Sequence, residues 1–162
     1  MRERGSCWGR SVSHSMWPLI VEGDRVLVER TPREEVGFGD IVVFHRAGQL
    51  IVHRVVGKQN VRGREYFPEK GDNNLWAGLV PPSDVIGRVR AIEISGKMIW
   101  INSPRARLLQ RILALNSYLT WRLWSFGQRV LPSGVKERVL GRRARRLFRL
   151  PARVLLGLLG VR

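Results

Sequence analysis

The sequence predicts a mainly β domain followed by basic, amphipathic α-helices. Short apolar runs between turn residues continue to about residue 102, whereas apolar residues recur at steps of three and four after it. The charge changes at the same place. Residues 1–102 carry 15 basic and 12 acidic groups, while residues 103–162 carry 14 basic groups and one acid, Glu137. We therefore expect one ordinary domain and a separate basic tail.

The β domain is predicted from five apolar runs bounded by glycine or by turn pairs. Residues 1–12 are expected to form a flexible lead-in, so the domain proper spans residues 13–102. The runs alternate or are continuously apolar, as in half-buried and buried strands. Short strands with this spacing favour an all-β domain over alternating βαβ units. The runs lie at residues 24–29, 40–45, 49–56, 85–94 and 97–101.

The tail, residues 103–162, is predicted to be helical because its apolar residues share one helix face. That stripe consists of Leu108, Ile112, Leu115, Leu119, Leu123, Phe126 and Val130. Pro132 and Gly134 end this first helix. A second helix is expected over residues 135–150, and Pro151 begins a short third piece. The second helix would carry Arg142, Arg143, Arg145, Arg146 and Arg149.

Composition excludes several classes of protein. A single cysteine, Cys7, excludes a disulfide framework and a cysteine-rich zinc site. No stretch reaches the roughly 18 apolar residues that cross a bilayer, and no apolar segment follows the N-terminal arginines as in a secretory signal. We expect neither a spanning helix nor an export signal in this sequence. The net charge of +16 points instead to an anionic partner, either a lipid surface or a nucleic acid.

Three short segments of the β part carry residue types that could act together in catalysis. They contain Ser15, His53 and Asp72. A serine hydroxyl is a weak nucleophile until a base takes its proton, and a histidine base works best when a third group fixes its tautomer. Taken singly, each residue also fits a structural role in a turn or a strand. The sequence alone leaves open whether the three side chains meet.

The same segments resemble the motif blocks of type I signal peptidases. Residues 13–18 (SHSMWP) and 22–24 (EGD) are similar to the nucleophile box, and residues 39–44 (GDIVVF) to the next block. Residues 52–56 (VHRVV) resemble the general-base block of the endoplasmic-reticulum and archaeal branch, where histidine replaces the lysine of bacterial enzymes. Residues 70–74 (KGDNN) and 86–89 (IGRV) complete five blocks in the family's order. The resemblance covers about residues 11–93.

The resemblance implies a serine endopeptidase that works through an acyl-enzyme, without metal or organic cofactor. Its fold would be the β domain of signal peptidases and repressor-type peptidases. Ser15 would be the nucleophile, His53 its base and Asp72 the orienting acid, with Asp84 the other acid considered. Ser13 and the Ser15 N–H would form the oxyanion hole. The substrate would be an extended peptide or preprotein, with small residues at the first and third positions before the cut.

Three other groups could act as the base. Lys58 and Lys70 would serve if desolvated, as in the lysine branch. Lys58 lies five residues from His53 and would face the other way in one continuous strand. His45, at the end of a strand, is a weaker candidate. We therefore prefer His53.

The basic tail is predicted to lie on an anionic membrane surface as a peripheral anchor. At about 100° per residue, four arginines fall within about a 60° arc beside the apolar stripe, which suits an interfacial helix. The membrane-binding residues are expected to be Arg107, Arg111, Trp121, Arg122, Trp124 and Arg129. A helix packed on the β domain with a solvated basic face is the alternative, and nucleic-acid binding is a further, less favoured one.

Two other functions are considered beside the peptidase. One is a catalytically lapsed relative that binds peptides, and the other is a nucleic-acid-binding protein that acts through the tail. A self-cleaving peptidase of repressor type is a related enzymatic option.

Overall fold

Nine β-strands and one long α-helix make up the part of the chain that the computed structural model describes, which is residues 5–130 and residue 157. The strands are β1 Ser6–Arg10, β2 Arg25–Glu29, β3 Ile41–Arg46, β4 Gln49–Val55, β5 Gln59–Val61, β6 Arg64–Lys70, β7 Gly78–Val80, β8 Val85–Ile94 and β9 Lys97–Trp100. Short 3-10 helices lie at Arg33–Glu35 and Pro82–Asp84, and the helix α1 spans Pro104–Val130. The predicted mainly β fold with a C-terminal helix is confirmed.

The strands pair antiparallel in the order β1-β2-β8-β3-β4-β6-β5, with β7 on β6 and β9 on β8. Each predicted apolar run overlaps one of these strands, namely β2, β3, β4, β8 or β9. Part of the predicted lead-in is instead β1, which pairs with β2 from Ser6 opposite Glu29 to Arg10 opposite Arg25. All five residues of β1 are exposed. Because β1 is joined through its backbone rather than by apolar burial, its sequence lacks the alternation that marks a half-buried strand.

A tight turn sets the register that matters for the site. Ala47 and Gly48 connect β3 to β4 and both have positive φ, 49° and 76°, which suits the right-handed twist of a hairpin. The pairing that follows places His53 opposite Val42. A shift of one residue would turn His53 to the other face.

The alternation of side chains along β3 and β4 creates two apolar clusters. One cluster contains Val36, Val42, Phe44, Val55, Phe67 and Val80. The other contains Met16, Leu19, Ile20, Val26, Val28, Ile41, Val43, Val89, Ile92, Ile94 and Ile101. Burying side chains of this size stabilises a fold by about 1.5–3 kcal/mol each. Phe44 and Val43 are neighbours in sequence, yet they belong to different clusters.

Helix α1 begins at Pro104 with Ser103 as its N-cap, whose hydroxyl accepts from the Ala106 N–H at 3.2 Å. It packs on the β domain through small and polar side chains. These buried residues are Ala106, Gln110, Leu113, Ala114, Ser117, Thr120 and Gly127. Gly39, at φ +96°, permits the close approach, because a Cβ there would lie 3.3 Å from the backbone of Gln110 and of Arg111.

The predicted apolar stripe is present on α1, but it faces away from the domain. All seven of its members are exposed, with exposed fractions between 42% and 64%. The helices predicted over residues 135–150 and after Pro151 lie outside the described residues. Among the described residues, no helix is long and apolar enough to cross a membrane.

Candidate active site

Ser15 lies in the loop between β1 and β2, which its apolar residues hold in place. Met16, Leu19 and Ile20 are buried in the larger apolar cluster. The N–H groups of Leu19 and Ile20 both donate to the Met16 carbonyl at 3.1 Å and tighten the turn. Ser15 is therefore half-buried at the edge of a fixed turn, and Ser13 before it is exposed.

The loop of residues 71–74 holds the serine loop from the other side. The Asn73 N–H donates to the Ser15 carbonyl at 2.8 Å, and the Asn73 side-chain amide donates to the His14 carbonyl at 3.2 Å. A Cβ at Gly71 would lie 2.6 Å from the Ser15 carbonyl oxygen and 3.0 Å from His53 Nε2. Glycine leaves room for this approach, so the Ser15 backbone carbonyl and His53 Nε2 both lie beside Gly71, while the Ser15 hydroxyl has its hydrogen-bond contact with Ser13 Oγ.

His53 is buried on β4, and its second ring nitrogen has a carboxylate partner. Val55 is opposite Glu69 in the pairing of β4 with β6, so the Glu69 side chain lies diagonally beside His53 on the same face. His53 Nδ1 forms a hydrogen bond with Glu69 Oε2. Because an ionised carboxylate only accepts, Nδ1 carries the hydrogen, and in the neutral imidazole Nε2 then has a lone pair. The imidazole is held in the tautomer that can accept a proton on the side nearest Gly71.

Glu69 is fully buried, and Arg46 provides the opposite charge. Arg46 Nη1 donates to Glu69 Oε1 at 2.8 Å, and Nη2 donates to the Leu79 carbonyl at 2.9 Å. The guanidinium lies 4.9 Å from the centroid of the Phe44 ring, and that ring meets the His53 ring edge-on at 6.1 Å. A buried carboxylate is costly unless it is paired and hydrogen-bonded. Arg46 and His53 together satisfy both Glu69 oxygens.

Sequence reasoning missed Glu69 because the resemblance directed attention to the acid after Gly71. Strand alternation was the signal that could have identified it. Once β4 and β6 are known to pair with Val55 opposite Glu69, that carboxylate must share a face with His53. The sequence analysis predicts β4, but it predicts neither the strand β6 that carries Glu69 nor its pairing with β4.

Asp72 is not placed beside His53. Its carboxylate takes two hydrogen bonds from Arg54, with Nε–Oδ1 at 2.8 Å and Nη2–Oδ2 at 2.6 Å. Arg54 follows His53 along β4 and so faces the other way. Asp84, the other acid considered, is exposed and accepts from the neighbouring serine hydroxyl. In the described part of the chain, the contact expected from Asp72 is made by Glu69.

Lys70, an alternative base, is buried beside Arg54 rather than beside His53. The two side chains are opposite each other in the β4–β6 pairing and share a face. The pKa of Lys70 is lowered to about 8, chiefly by burial; the Asp72 charge opposes this shift and the Arg54 charge adds to it. Lys70 Nζ donates to the Gly71 carbonyl at 3.3 Å. Its position on the face opposite His53 argues against a role as the base.

The other two alternative bases have surroundings unlike those of His53. Lys58 is half-exposed, forms an ion pair with Glu65 at 3.6 Å, and lies 5.5 Å from the centroid of the Phe67 ring. His45 is exposed near the end of β3. His53 therefore remains the best-placed base.

A second hydroxyl lies beside the nucleophile candidate. Ser13 Oγ is 3.2 Å from Ser15 Oγ, within hydrogen-bonding distance. The intervening His14 side chain is exposed and its Nε2 lies 3.3 Å from Glu22 Oε2, so it leaves the space between the serines open. This arrangement fits a donor next to a developing oxyanion. Among residues 5–130, no group of three or more His, Cys, Asp or Glu side chains could hold a metal ion.

The residues expected to bind a membrane divide between two sides of α1. Arg107, Arg111, Arg122 and Arg129 are exposed. Trp121 and Trp124 are half-buried, and at about 100° per residue they lie away from the exposed apolar stripe. The Trp121 ring packs edge-on against Tyr118 at 6.0 Å. The arginines therefore remain candidates for a surface contact, whereas the tryptophans pack toward the domain side of the helix.

Comparison with known proteins supports a relation to serine peptidases. Residues 2–64 match the family model described as Peptidase S24-like. The match supports the superfamily that unites S24-like peptidases and signal peptidases, and a peptidase of the serine type. A search of curated proteins gives no match to the chain.

The matched segment contains half of the site. It includes the Ser15 loop and the His53 strand, and it ends before Glu69, Gly71 and Asp72. The contact between His53 and Glu69 is therefore observed in the geometry alone.

Proposed function

We propose that this protein is a serine endopeptidase in which Ser15 is the nucleophile, His53 the base and Glu69 the acid that orients the base. The observation that carries the proposal is the convergence at Gly71. His53 Nε2 and the Ser15 carbonyl lie within 3.0 Å of one point, while the other side of the imidazole is fixed by Glu69. Contacts between nucleophile and base commonly tighten only in the substrate complex.

The reaction uses the lone pair of His53 Nε2. Ser15 Oγ attacks the scissile carbonyl carbon as Nε2 takes its proton, and the carbonyl oxygen becomes an oxyanion beside Ser13 Oγ. His53 then gives the proton to the leaving amine, and the acyl group stays on Ser15. Water then attacks the acyl carbon as Nε2 takes its proton, and His53 returns that proton to Ser15 Oγ as the carboxylic acid product leaves. Glu69 stabilises the imidazolium that forms in each half-reaction.

We further propose that the substrates are signal or leader peptides, with small residues at the first and third positions before the cut. The supporting observations are the histidine at the base position and the order of the motif blocks. The family match extends to this superfamily and does not distinguish its branches.

A panel of soluble peptides tests both the proposed catalytic mechanism and the proposed substrate class. The purified chain should cleave peptides with alanine at the first and third positions before the cut, and replacement of either alanine by a large residue should reduce kcat/KM. Ser15→Ala should abolish cleavage while leaving the thermal midpoint unchanged, because only the attacking oxygen is lost. Turnover by folded Ser15→Ala protein would disprove the mechanism, whereas cleavage without a small-residue preference would disprove only the substrate class.

Self-cleavage is the second candidate, favoured by the S24-like match. The intact mass of the chain, followed over time at several protein concentrations, separates the two. Intramolecular cleavage would proceed at a rate independent of concentration and would stop in Ser15→Ala. A chain that keeps its mass while it cleaves added peptide is an endopeptidase acting on other proteins.

A further inference from the structure

The exposed side of α1 is an apolar surface that the fold does not use. We call it the α1 stripe, and it consists of Leu108, Ile112, Leu115, Leu119, Leu123, Phe126 and Val130. Seven exposed apolar side chains along one helix form a continuous strip, unlike the scattered apolar residues of an ordinary surface. The opposite side of the helix already packs on the domain through small and polar residues. The helix is thus held in place without the stripe.

The charge beside the stripe has one sign. Helix α1 contains five arginines and no aspartate or glutamate. All five are exposed. Four of them, Arg107, Arg111, Arg122 and Arg129, lie within an arc of about 60° along one edge of the stripe at about 100° per residue. Long basic side chains in this position can keep their charges at phosphate level while the apolar residues insert.

This charge argues against two occupants from the chain itself. A second copy placed on the stripe would bring five further arginines against the first five. Residues 131–162 carry nine basic residues and one acid, Glu137, so they too would bring like charge to the surface. An anionic lipid surface complements both the apolar stripe and the arginines.

We propose that α1 lies in the plane of an anionic membrane, with the α1 stripe in the acyl boundary and its arginines on lipid phosphates. The orientation has a consequence for the site. On the domain side of α1, Ser117 Oγ lies 3.4 Å from Asp72 Oδ1, and the next residue, Asn73, donates to the Ser15 carbonyl. A membrane-bound helix would therefore hold the Ser15 loop on the side of α1 that faces away from the lipid, with a helix diameter of about 10–12 Å between them.

Vesicle cosedimentation of the full chain tests the proposal. Three variants are compared with the unmodified chain on two kinds of vesicle. One contains phosphatidylcholine alone, and the other contains phosphatidylcholine with about 30% phosphatidylserine. Leu119→Gln/Leu123→Gln removes two members of the stripe, Arg111→Gln/Arg122→Gln removes two edge charges, and Gln128→Ala is the matched control. Gln128 is exposed on α1 away from the stripe. All substituted side chains of the stripe and edge are exposed, so the thermal midpoints should be unchanged.

The expected result is tight binding to anionic vesicles by the unmodified chain and by Gln128→Ala. The leucine variant should bind at least tenfold more weakly at both low and high salt, and the arginine variant should lose most of its preference for anionic lipid. A full chain that stays in the supernatant would overturn the proposal. Binding that is unaffected by the leucine substitutions would also overturn it, as would stripe-dependent dimerisation without lipid binding or a preference for oligonucleotide over vesicles.

Discussion

Glu69→Gln tests the orienting role because it changes hydrogen-bonding chemistry at nearly constant volume. The Arg46 guanidinium only donates, so the amide oxygen must stay on Arg46 Nη1, where Glu69 Oε1 lies at 2.8 Å. The amide nitrogen then faces His53 Nδ1 and donates to it. His53 must accept at Nδ1 and carry its hydrogen on Nε2, which leaves no lone pair to take the Ser15 proton.

The size of the effect follows from that tautomer. In the Ser-His-Asp peptidases, the equivalent change of carboxylate to amide lowers kcat by about 10⁴-fold, or about 5 kcal/mol at 1.36 kcal/mol per factor of ten. We expect a similar loss in kcat here, with KM little changed. The fold should be affected less, because Arg46 is 35% exposed and keeps an acceptor in the amide.

Asp72→Asn is the matched comparison, with the opposite expected pattern. Arg54 is fully buried, and in Asp72→Asn one of the two carboxylate oxygens that accept from it is replaced by an amide NH₂ and the negative charge is lost. Breaking a buried ion pair lowers the free energy of unfolding by about 3–5 kcal/mol. In urea unfolding, Asp72→Asn should therefore lose more free energy of unfolding than Glu69→Gln. In peptide kinetics, measured below the unfolding midpoint of Asp72→Asn, Glu69→Gln should lose more kcat. If folded Asp72→Asn is inactive while Glu69→Gln keeps activity within tenfold, the assignment of Glu69 is wrong.

Three further changes probe the surroundings of the site. Ser13→Ala should lower kcat by about 10²–10³-fold with an unchanged fold if its hydroxyl stabilises the oxyanion; peptide kinetics showing no loss would remove Ser13 from the mechanism. Gly71→Ala should displace Ser15 from His53 and cost about 10²-fold or more in kcat/KM, whereas Gly37→Ala, with no atom within 4 Å of its Cβ position, should be neutral. The pKa of Lys70 is lowered from 10.5 to about 8 by burial. Below pH 8 the amine is protonated in both the folded and the unfolded chain, whereas between pH 8 and 10.5 it is protonated mainly in the unfolded chain. The free energy of unfolding should therefore rise across that window by about 3 kcal/mol relative to Lys70→Met, and parallel pH profiles of the two proteins would contradict it.

The fold could be predicted further than the site. Local alternation and turn residues mark β2, β3, β4, β8 and β9, and a 3.6-residue period marks α1, because both signals lie within one element. The strands β5, β6 and β7 were not predicted. β1 gives no such signal, since its residues are exposed and it is held by backbone pairing. The sequence predicts the apolar stripe of α1, but it does not predict that the stripe faces away from the β domain. The helix packs through residues such as Ala114 and Ser117, whose small side chains allow close approach to the domain.

The candidate site depended on pairing between distant strands. Ser15 and His53 are recognisable as residue types in family-like motifs, and the structure places the Ser15 backbone carbonyl and His53 Nε2 beside the same residue, Gly71. Glu69 is positioned by the register of β4 against β6, and Asp72 is taken by Arg54, which the side-chain alternation of β4 turns away from His53. No local pattern contains that information, because the two contacts join residues that are 16 and 18 positions apart in the sequence.

The central claim is that Ser15 is a nucleophile activated by His53, and covalent labelling tests it most directly. The purified chain is treated with a fluorophosphonate, and the adduct is located by mass spectrometry of the digested protein. We predict one adduct, on Ser15, whose formation slows by orders of magnitude in His53→Ala and proceeds normally in Lys58→Ala. Labelling of another residue, or equally fast labelling of Ser15 without His53, would contradict the account.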